Sequence, residues 1–362
     1  MESSVLDYNL PDGRIARFPA QKRDESKLLV FDRKTQKISH SVFRELPSLL
    51  PRKFNFFRND AAVLKGRIFA KKDTGANVEC LLLTPCGSSG DLWNCMLRPG
   101  KRLGVGAKFS RENAFDAEVV GASGNGNRVV KFALAPQFKS VLEMSEAVGV
   151  VPLPPYIGRD QNSPEYDRDF DNKYYETVYA NPDKRVAAAA PTAGLHFTPE
   201  LIGELSRLGH AFYNLTLHVG IGTFQPLKTQ NIQEHKMHGE FYEIPQRTLA
   251  AMADKSVPRL AVGTTSLRAM EDCCRKHAGG NFDISKPYTD NATLFVYPPQ
   301  RIISADAMIT NFHLPRSTLM CLVASFLAPD DVSGIALLKD IYAQAIAREY
   351  NFYSYGDAML IL

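Results

Sequence analysis

RLAVGTTSLRAMEDCCRKH, residues 259–277, passes from a short apolar run through Gly263-Thr264-Thr265-Ser266 into a segment with helical spacing. That is a strand, a polar turn and a helix. The layout recurs on both sides of it. RVAAAAP (185–191) runs into TAGLHF (192–197) and then TPELIGELSRLG (198–209). There Thr198 suits an N-cap, Pro199 the first helical position and Gly209 a stop. AFYNLTLHV (211–219) alternates like a strand and ends before the glycine-bearing GIGTF (220–224). ADAMITN (305–311) leads through FHLPRS (312–317) into the apolar helix TLMCLVASFL (318–327). Strands alternating with helices predict an α/β domain with a largely parallel sheet or a barrel.

Residues 61 to about 135 read differently. GRIFAKKDTGANVECLLLTP (66–85) reads as two strands around Asp73-Thr74-Gly75, and AFDAEVVGASGNGNRVVKFALA (114–135) as two more around a Gly-Asn-rich turn. Short strands without a helical pattern predict a small antiparallel barrel inserted into the α/β domain. The expected division is 1–60 and 150–362 for the α/β domain and 61–149 for the insert. Between Ala61 and Ala135 eleven basic residues face six acidic ones, a net of +5 in a chain of net +4. Such an excess suits a phosphate-backbone partner, and it equally suits protection of exposed sheet edges.

No run of about 18 apolar residues predicts a membrane span, and the N-terminus has no secretory pattern. The six cysteines form no CxxC pair, which fits a reducing cytoplasm and a core role. No interface pattern is visible, so a monomer is expected.

Polar residues cluster just after strands, where α/β folds assemble ligand sites. His196, His218, Thr264, Thr265 and His313 are therefore expected to converge on one edge. A histidine titrates near neutrality and can act as general acid or base; a structural hydrogen-bonding role is the plain alternative. Gly263-Thr264-Thr265-Ser266, with Arg268 beyond, offers N–H groups and hydroxyls to a carboxylate or phosphate, or is simply an N-cap. Gly220 and Gly222 permit close backbone approach but lack dinucleotide spacing. His235 and His238 stand three apart with no carboxylate or cysteine set to complete a zinc signature, so no metal is expected.

RDESKLLVFDR (23–33), PLPPYI (152–157), APTAGLHFT (190–198), LTLHVGIGTF (215–224), EHKMHGE (234–240), VGTTSLRAME (262–271), TNFHLPRSTL (310–319) and NFYSYGDAMLIL (351–362) together resemble the S-adenosylmethionine:tRNA ribosyltransferase-isomerase family of queuosine biosynthesis. The motifs occur in family order over nearly the whole chain, and the barrel and the 158–185 loop match more loosely. The resemblance implies transfer and isomerisation of the ribosyl group of S-adenosylmethionine onto 7-aminomethyl-7-deazaguanine at a tRNA wobble position. Epoxyqueuosine forms, adenine and methionine leave, and no cofactor is used beyond the consumed donor. The fold expected is α/β, a (β/α) barrel-like main domain with the inserted antiparallel β-barrel. His196, His218 and His313 become the acid/base candidates, with Glu234, Asp306 and Asp357 as carboxylates that could support them. Thr192, Gly194, Gly220, Gly222, Thr264, Thr265, Ser266, Arg268, Asn311 and Phe312 become the expected substrate contacts, and Lys101 and Arg102 the expected tRNA contacts. Tyr156, Tyr179 and Phe312 are candidates for stacking on a displaced base.

Three positions depart from the family pattern. Asn59-Asp60-Ala61-Ala62 stands where Asn-Asp-Thr-Arg is expected, Gln225 where an arginine follows GTF, and Tyr297-Pro298-Pro299 where a YPG turn is usual. Alanine or glutamine does not replace a bidentate guanidinium, and Lys65 or Arg67 is the nearest candidate to compensate. Two other readings follow: a tRNA-binding protein that has lost turnover, and a small-molecule enzyme that uses the same strand-end site without RNA.

Overall fold

The computed structural model describes residues 1–123, 126–160, 166–220, 227, 229–237, 239–277 and 281–362, with only the backbone described at Val186. They form two compact units, Met1–Ala62 with Pro155–Gly158 and Glu176–Leu362, and Val63–Pro154 with Arg159–Tyr175. The smaller unit therefore takes in 150–154 and 159–175, which the expected division places in the α/β domain, and Ala61 and Ala62 fall in the larger unit. The chain opens with β1 (Lys27–Asp32), β2 (Lys37–Val42), β3 (Asn55–Asn59) and the short β4 (Ala61–Val63). The smaller unit follows with β5 (Arg67–Lys71), β6 (Asn77–Cys86), β7 (Leu92–Arg98), β8 (Lys108–Arg111), β9 (Phe115–Ala122) and β10 (Arg128–Leu134).

These six strands close as β10-β7-β6-β5-β8-β9, antiparallel throughout. Closure removes the unpaired edges a small sheet would otherwise expose. The alternation in β7 explains its inside: Trp93, Cys95 and Leu97 are buried, and their neighbours face outward. Phe109, Phe115 and Phe132 meet edge-to-face in the barrel core. β5 and β6 pair from Lys71↔Asn77 to Arg67↔Leu81, and Gly75 has φ +82° in the turn between them.

The remaining strands are β11 (Asn181–Ala187), β12 (Ala211–Leu217), β13 (Glu240–Ile244), β14 (Arg259–Val262), β15 (Tyr288–Ala292), β16 (Ala307–Asn311) and β17 (Ala358–Ile361). Apart from a β4–β11 ribbon, the larger unit is one nine-stranded sheet in the order β15-β13-β12-β3-β14-β16-β17-β1-β2. This corrects the barrel-like expectation: the sheet is open, ending at β15 and β2. A (β/α) barrel needs every strand parallel to both neighbours. Here β17 enters antiparallel to β16, and β13 antiparallel to β12. The parallel centre survives, with β12, β3, β14 and β16 running together.

The helices are α1 (Leu46–Leu49), α2 (Val141–Val148), α3 (Arg168–Tyr174), α4 (Pro199–Arg207), α5 (Gln246–Ala253), α6 (Gly263–Lys276), α7 (Thr318–Leu327) and α8 (Gly334–Ala347). Alternate strand residues feed two cores. Leu28, Phe56, Leu260, Val262 and Ile309 pack with Phe43, Phe197 and α4. Leu29, Phe57, Ala261, Met308 and Ile361 pack with α5 to α8. Cover on both faces explains the apolar stretches 260–262 in β14 and 307–309 in β16. Thr198 caps α4 by accepting the Leu201 N–H at 3.2 Å. No helix among the described residues is long and apolar enough to cross a membrane.

Phe56 is fully buried on the central strand against Phe197, Phe212 and His210. A Phe56→Ala substitution is expected to destabilise the larger unit by about 3–5 kcal/mol, read from denaturant unfolding.

Candidate active site

Because β12, β14 and β16 are parallel, their carboxyl ends share one edge, and antiparallel β17 brings the residues just before Ala358 to the same edge. A cavity opens there, with about 900 Å³ of empty space including its mouth. Thr192, Thr264, Thr265, Thr310, Asn311, His313, Ser317 and Ser354 supply its polar groups. Tyr156, Ala189, Val219, Phe312, Leu314, Leu319 and Tyr353 supply apolar wall.

Strand β14 passes directly into α6 at Gly263, whose φ of +86° is the left-handed value that glycine adopts without strain. Thr264 and Thr265 thus stand at the start of a 14-residue helix, where unpaired N–H groups and the helix dipole favour an anion. Among the described residues the Thr265 hydroxyl has no hydrogen-bond partner. Ser266 is turned away, donating to the Val262 carbonyl at 2.7 Å.

Asn311, the last residue of β16, is 3% exposed. Its amide nitrogen donates to the Tyr353 carbonyl at 3.1 Å and lies 3.1 Å from His196 Nε2. Its Oδ1 accepts from Thr192 Oγ1 at 3.3 Å. His196 is 4% exposed, its Nδ1 is 2.8 Å from Ser26 Oγ, and its ring lies against Phe43. Burial, reinforced by the Arg23 charge, pushes the His196 pKa down to about 3. His313 is half-buried at the cavity wall with Nε2 3.0 Å from Thr310 Oγ1. Its N–H donates to Tyr342 Oη at 3.0 Å, its carbonyl accepts from Tyr8, and burial lowers its pKa to about 3.

The other expected residues have different surroundings. His218 is half-buried with its ring against Phe241, outside the cavity lining, and its pKa is lowered first by burial and then by Lys184. Arg268 is ion-paired with Glu240 and donates to the Ala292 and Leu294 carbonyls. Glu240 also accepts the Gly220 N–H at 2.8 Å, so this pair anchors the chain after β12 rather than gripping a ligand. Gly194 packs so tightly that a Cβ would fall 1.9 Å from the Tyr179 hydroxyl. Tyr179 itself stacks with Arg58 outside the cavity, and Phe312 is a core ring against Tyr342, Tyr350 and Phe352 that also shows one side to the cavity. Gly222, Gln225 and His238 lie outside the described residues.

None of the three supporting carboxylates lines the cavity. Asp306 pairs with Arg259, Asp357 accepts the Lys27 and Asn351 N–H groups, and Glu234 accepts from Asn231. Lys65 and Arg67 are held by Glu146 and Glu79, and Ala62 is fully buried. Lys101 and Arg102 are exposed in the turn after β7. Among the described residues no three of His, Cys, Asp or Glu group in a way that could hold a metal ion. Ser26, Tyr353 and Ser354 were not singled out in sequence. Tyr353 has φ +74°, a conformation that costs ~1–3 kcal/mol and that nothing in its side-chain type announces.

A parallel-centred α/β sheet with a largely apolar pocket that carries a few convergent polar groups at its strand ends is the setting of a small-molecule site. The chain belongs to the queuosine biosynthesis protein family, whose model matches residues 3–361. It is 40% identical over 365 residues to the S-adenosylmethionine:tRNA ribosyltransferase-isomerase of Thermotoga maritima, with 100% of both chains covered. It is 39% identical over 367 residues to the enzyme of that name in Heliobacterium modesticaldum, again with 100% of both covered. A crystal structure of S-adenosylmethionine tRNA ribosyltransferase from Thermotoga maritima superposes with TM-score 0.54 at 32% identity, covering 99% of this chain and 100% of that one.

The neutral state of His196 has a consequence for stability. Between about pH 3 and 6.5 the unfolded chain binds a proton there that the folded chain does not, so stability falls as pH drops through that window and is level above it. A His196→Gln variant is expected to show a shallower loss between about pH 7 and pH 5, by up to about 1.4 kcal/mol per pH unit. Guanidinium unfolding at both values measures it.

Proposed function

We propose that this chain is an S-adenosylmethionine:tRNA ribosyltransferase-isomerase. It moves the ribosyl group of the donor onto 7-aminomethyl-7-deazaguanine in tRNA, forming epoxyqueuosine and releasing adenine and methionine. The observation that carries the reading is that residues of four family motifs, Thr192, Thr264, Thr265, Asn311, His313 and Tyr353, line a single cavity, in a chain alignable end to end with enzymes of that name.

Donor binding and the two proton transfers that begin the reaction can be assigned to groups of this chain. The α6 start, through its N–H groups and the Thr264 and Thr265 hydroxyls, takes the methionine carboxylate, because Arg268 is committed to Glu240. The sulfonium acidifies the C5′ protons of the donor. His313 is the expected histidine that faces the cavity, and as a neutral imidazole it has a lone pair to receive one of them. That transfer moves one positive charge from the donor to the ring, so the burial that disfavours an isolated imidazolium is offset by the loss of the buried sulfonium's net charge. The imidazolium then supplies a proton toward the departing adenine. S-adenosylmethionine is consumed and the scheme uses no cofactor. The barrel turn at Lys101 and Arg102 contacts tRNA phosphates, and the protein works as a cytoplasmic monomer.

Adenine release measured with and without tRNA carrying the aminomethyl-deazaguanine base tests the proposal. Release that depends on the modified tRNA is expected; tRNA binding without release would favour a binder that has lost turnover. His313→Gln is expected to lower kcat by ~10²–10⁴-fold. Reversing both charges at Lys101 and Arg102 is expected to weaken tRNA binding and flatten its salt dependence at unchanged Tm. Unchanged affinity would remove the barrel turn from the RNA surface.

A further inference from the structure

The hydrogen bonds behind the cavity wall run in one direction. Tyr353 offers Asn311 only a carbonyl, so that side of the amide must be Nδ2, and the assignment is fixed by the network. The second Nδ2 hydrogen then points at His196 Nε2, which must be a bare lone pair. The ring proton is therefore on Nδ1 and donates to Ser26 Oγ at 2.8 Å, and Ser26 in turn donates to the Arg23 carbonyl at 3.3 Å. Ser26, His196 and Asn311 are all at most 5% exposed, so water does not offer these groups substitute partners.

We propose that Ser26 and His196 are positioning residues: with its own proton on the Arg23 carbonyl, Ser26 accepts from the His196 Nδ1–H, and the bare Nε2, together with the Tyr353 carbonyl, holds the Asn311 amide with Oδ1 toward Thr192 and the cavity. This rests on the proposed ribosyl-transfer reading only in what Oδ1 then meets. An amide oxygen with one lone pair given to Thr192 and one remaining accepts an N–H, the chemistry shared by the exocyclic amine of adenine in the donor and the amine of the acceptor base. Were the tautomer reversed, Nε2–H would face Nδ2–H, and the amide would have to turn its N–H groups to the ligand instead. The low His196 pKa agrees with a ring that stays neutral and does not exchange protons during turnover.

The test begins with nitrogen-15 long-range correlation spectra of the full chain between about pH 5.5 and pH 8, with His196 assigned by its loss in His196→Gln. A non-titrating Nδ1–H tautomer is expected, although free imidazole prefers the other; an Nε2–H tautomer or an imidazolium in that range overturns the proposal. Steady-state adenine release by Ser26→Ala forms the second arm. KM is expected to rise about tenfold, the worth of one hydrogen bond, with the pH profile of kcat unchanged. A rise for S-adenosylmethionine assigns the adenine amine, and a rise for tRNA assigns the acceptor amine. A rise in neither, or loss of a limb of the pH profile, overturns the positioning role. A wild-type protein without adenine release would defeat the proposed activity, while the spectra would still decide the tautomer.

Discussion

The site depends on one buried amide. Asn311 ends β16, and its bonds reach His196 and Thr192 on one loop and the Tyr353 carbonyl near the last strand. Three segments far apart in sequence are thereby held at the same strand end. Burial makes this network directional, because an unmet donor there costs about 1–3 kcal/mol. The left-handed backbone of Tyr353 is tolerated because its N–H is bonded to Phe312 and its carbonyl to Asn311.

Electrostatics around the pocket follow the same logic of commitment. The charged groups beside it are spent on structure: Arg268 on Glu240, and Glu240 also on the Gly220 N–H. The described cavity wall is made of hydroxyls, one amide, one neutral imidazole and apolar surface. Such a wall offers shape and hydrogen bonds rather than an opposite charge, and the helix start at Gly263 is the feature in it best suited to a carboxylate.

Much of this was legible in the residues. Strand–turn–helix units at 185–209, 259–277 and 305–327 are present, Thr198 caps its helix, and the inserted segment is an antiparallel barrel. Convergence of Thr264, Thr265 and His313 followed from their places after strands. Sheet closure was not legible, because periodicity reports a strand but neither its direction nor its neighbours; β17 runs antiparallel to β16, and the sheet ends at β15 and β2. The separate surroundings of the histidines were equally hidden: His196 is walled in by Phe43 and Ser26, a fact of tertiary packing that APTAGLHFT does not encode. The pairing of Arg268 with Glu240, 28 residues away, is likewise not encoded in VGTTSLRAME.

The most direct measurement of the central claim follows two labels in parallel reactions with modified tRNA, one donor labelled in its ribose and one in its methyl group. Ribose label is expected in tRNA, methyl label in released methionine, and ribose transfer is expected to be lost in a folded Asn311→Leu variant. Methyl label in tRNA, or undiminished ribose transfer by that variant, would contradict it.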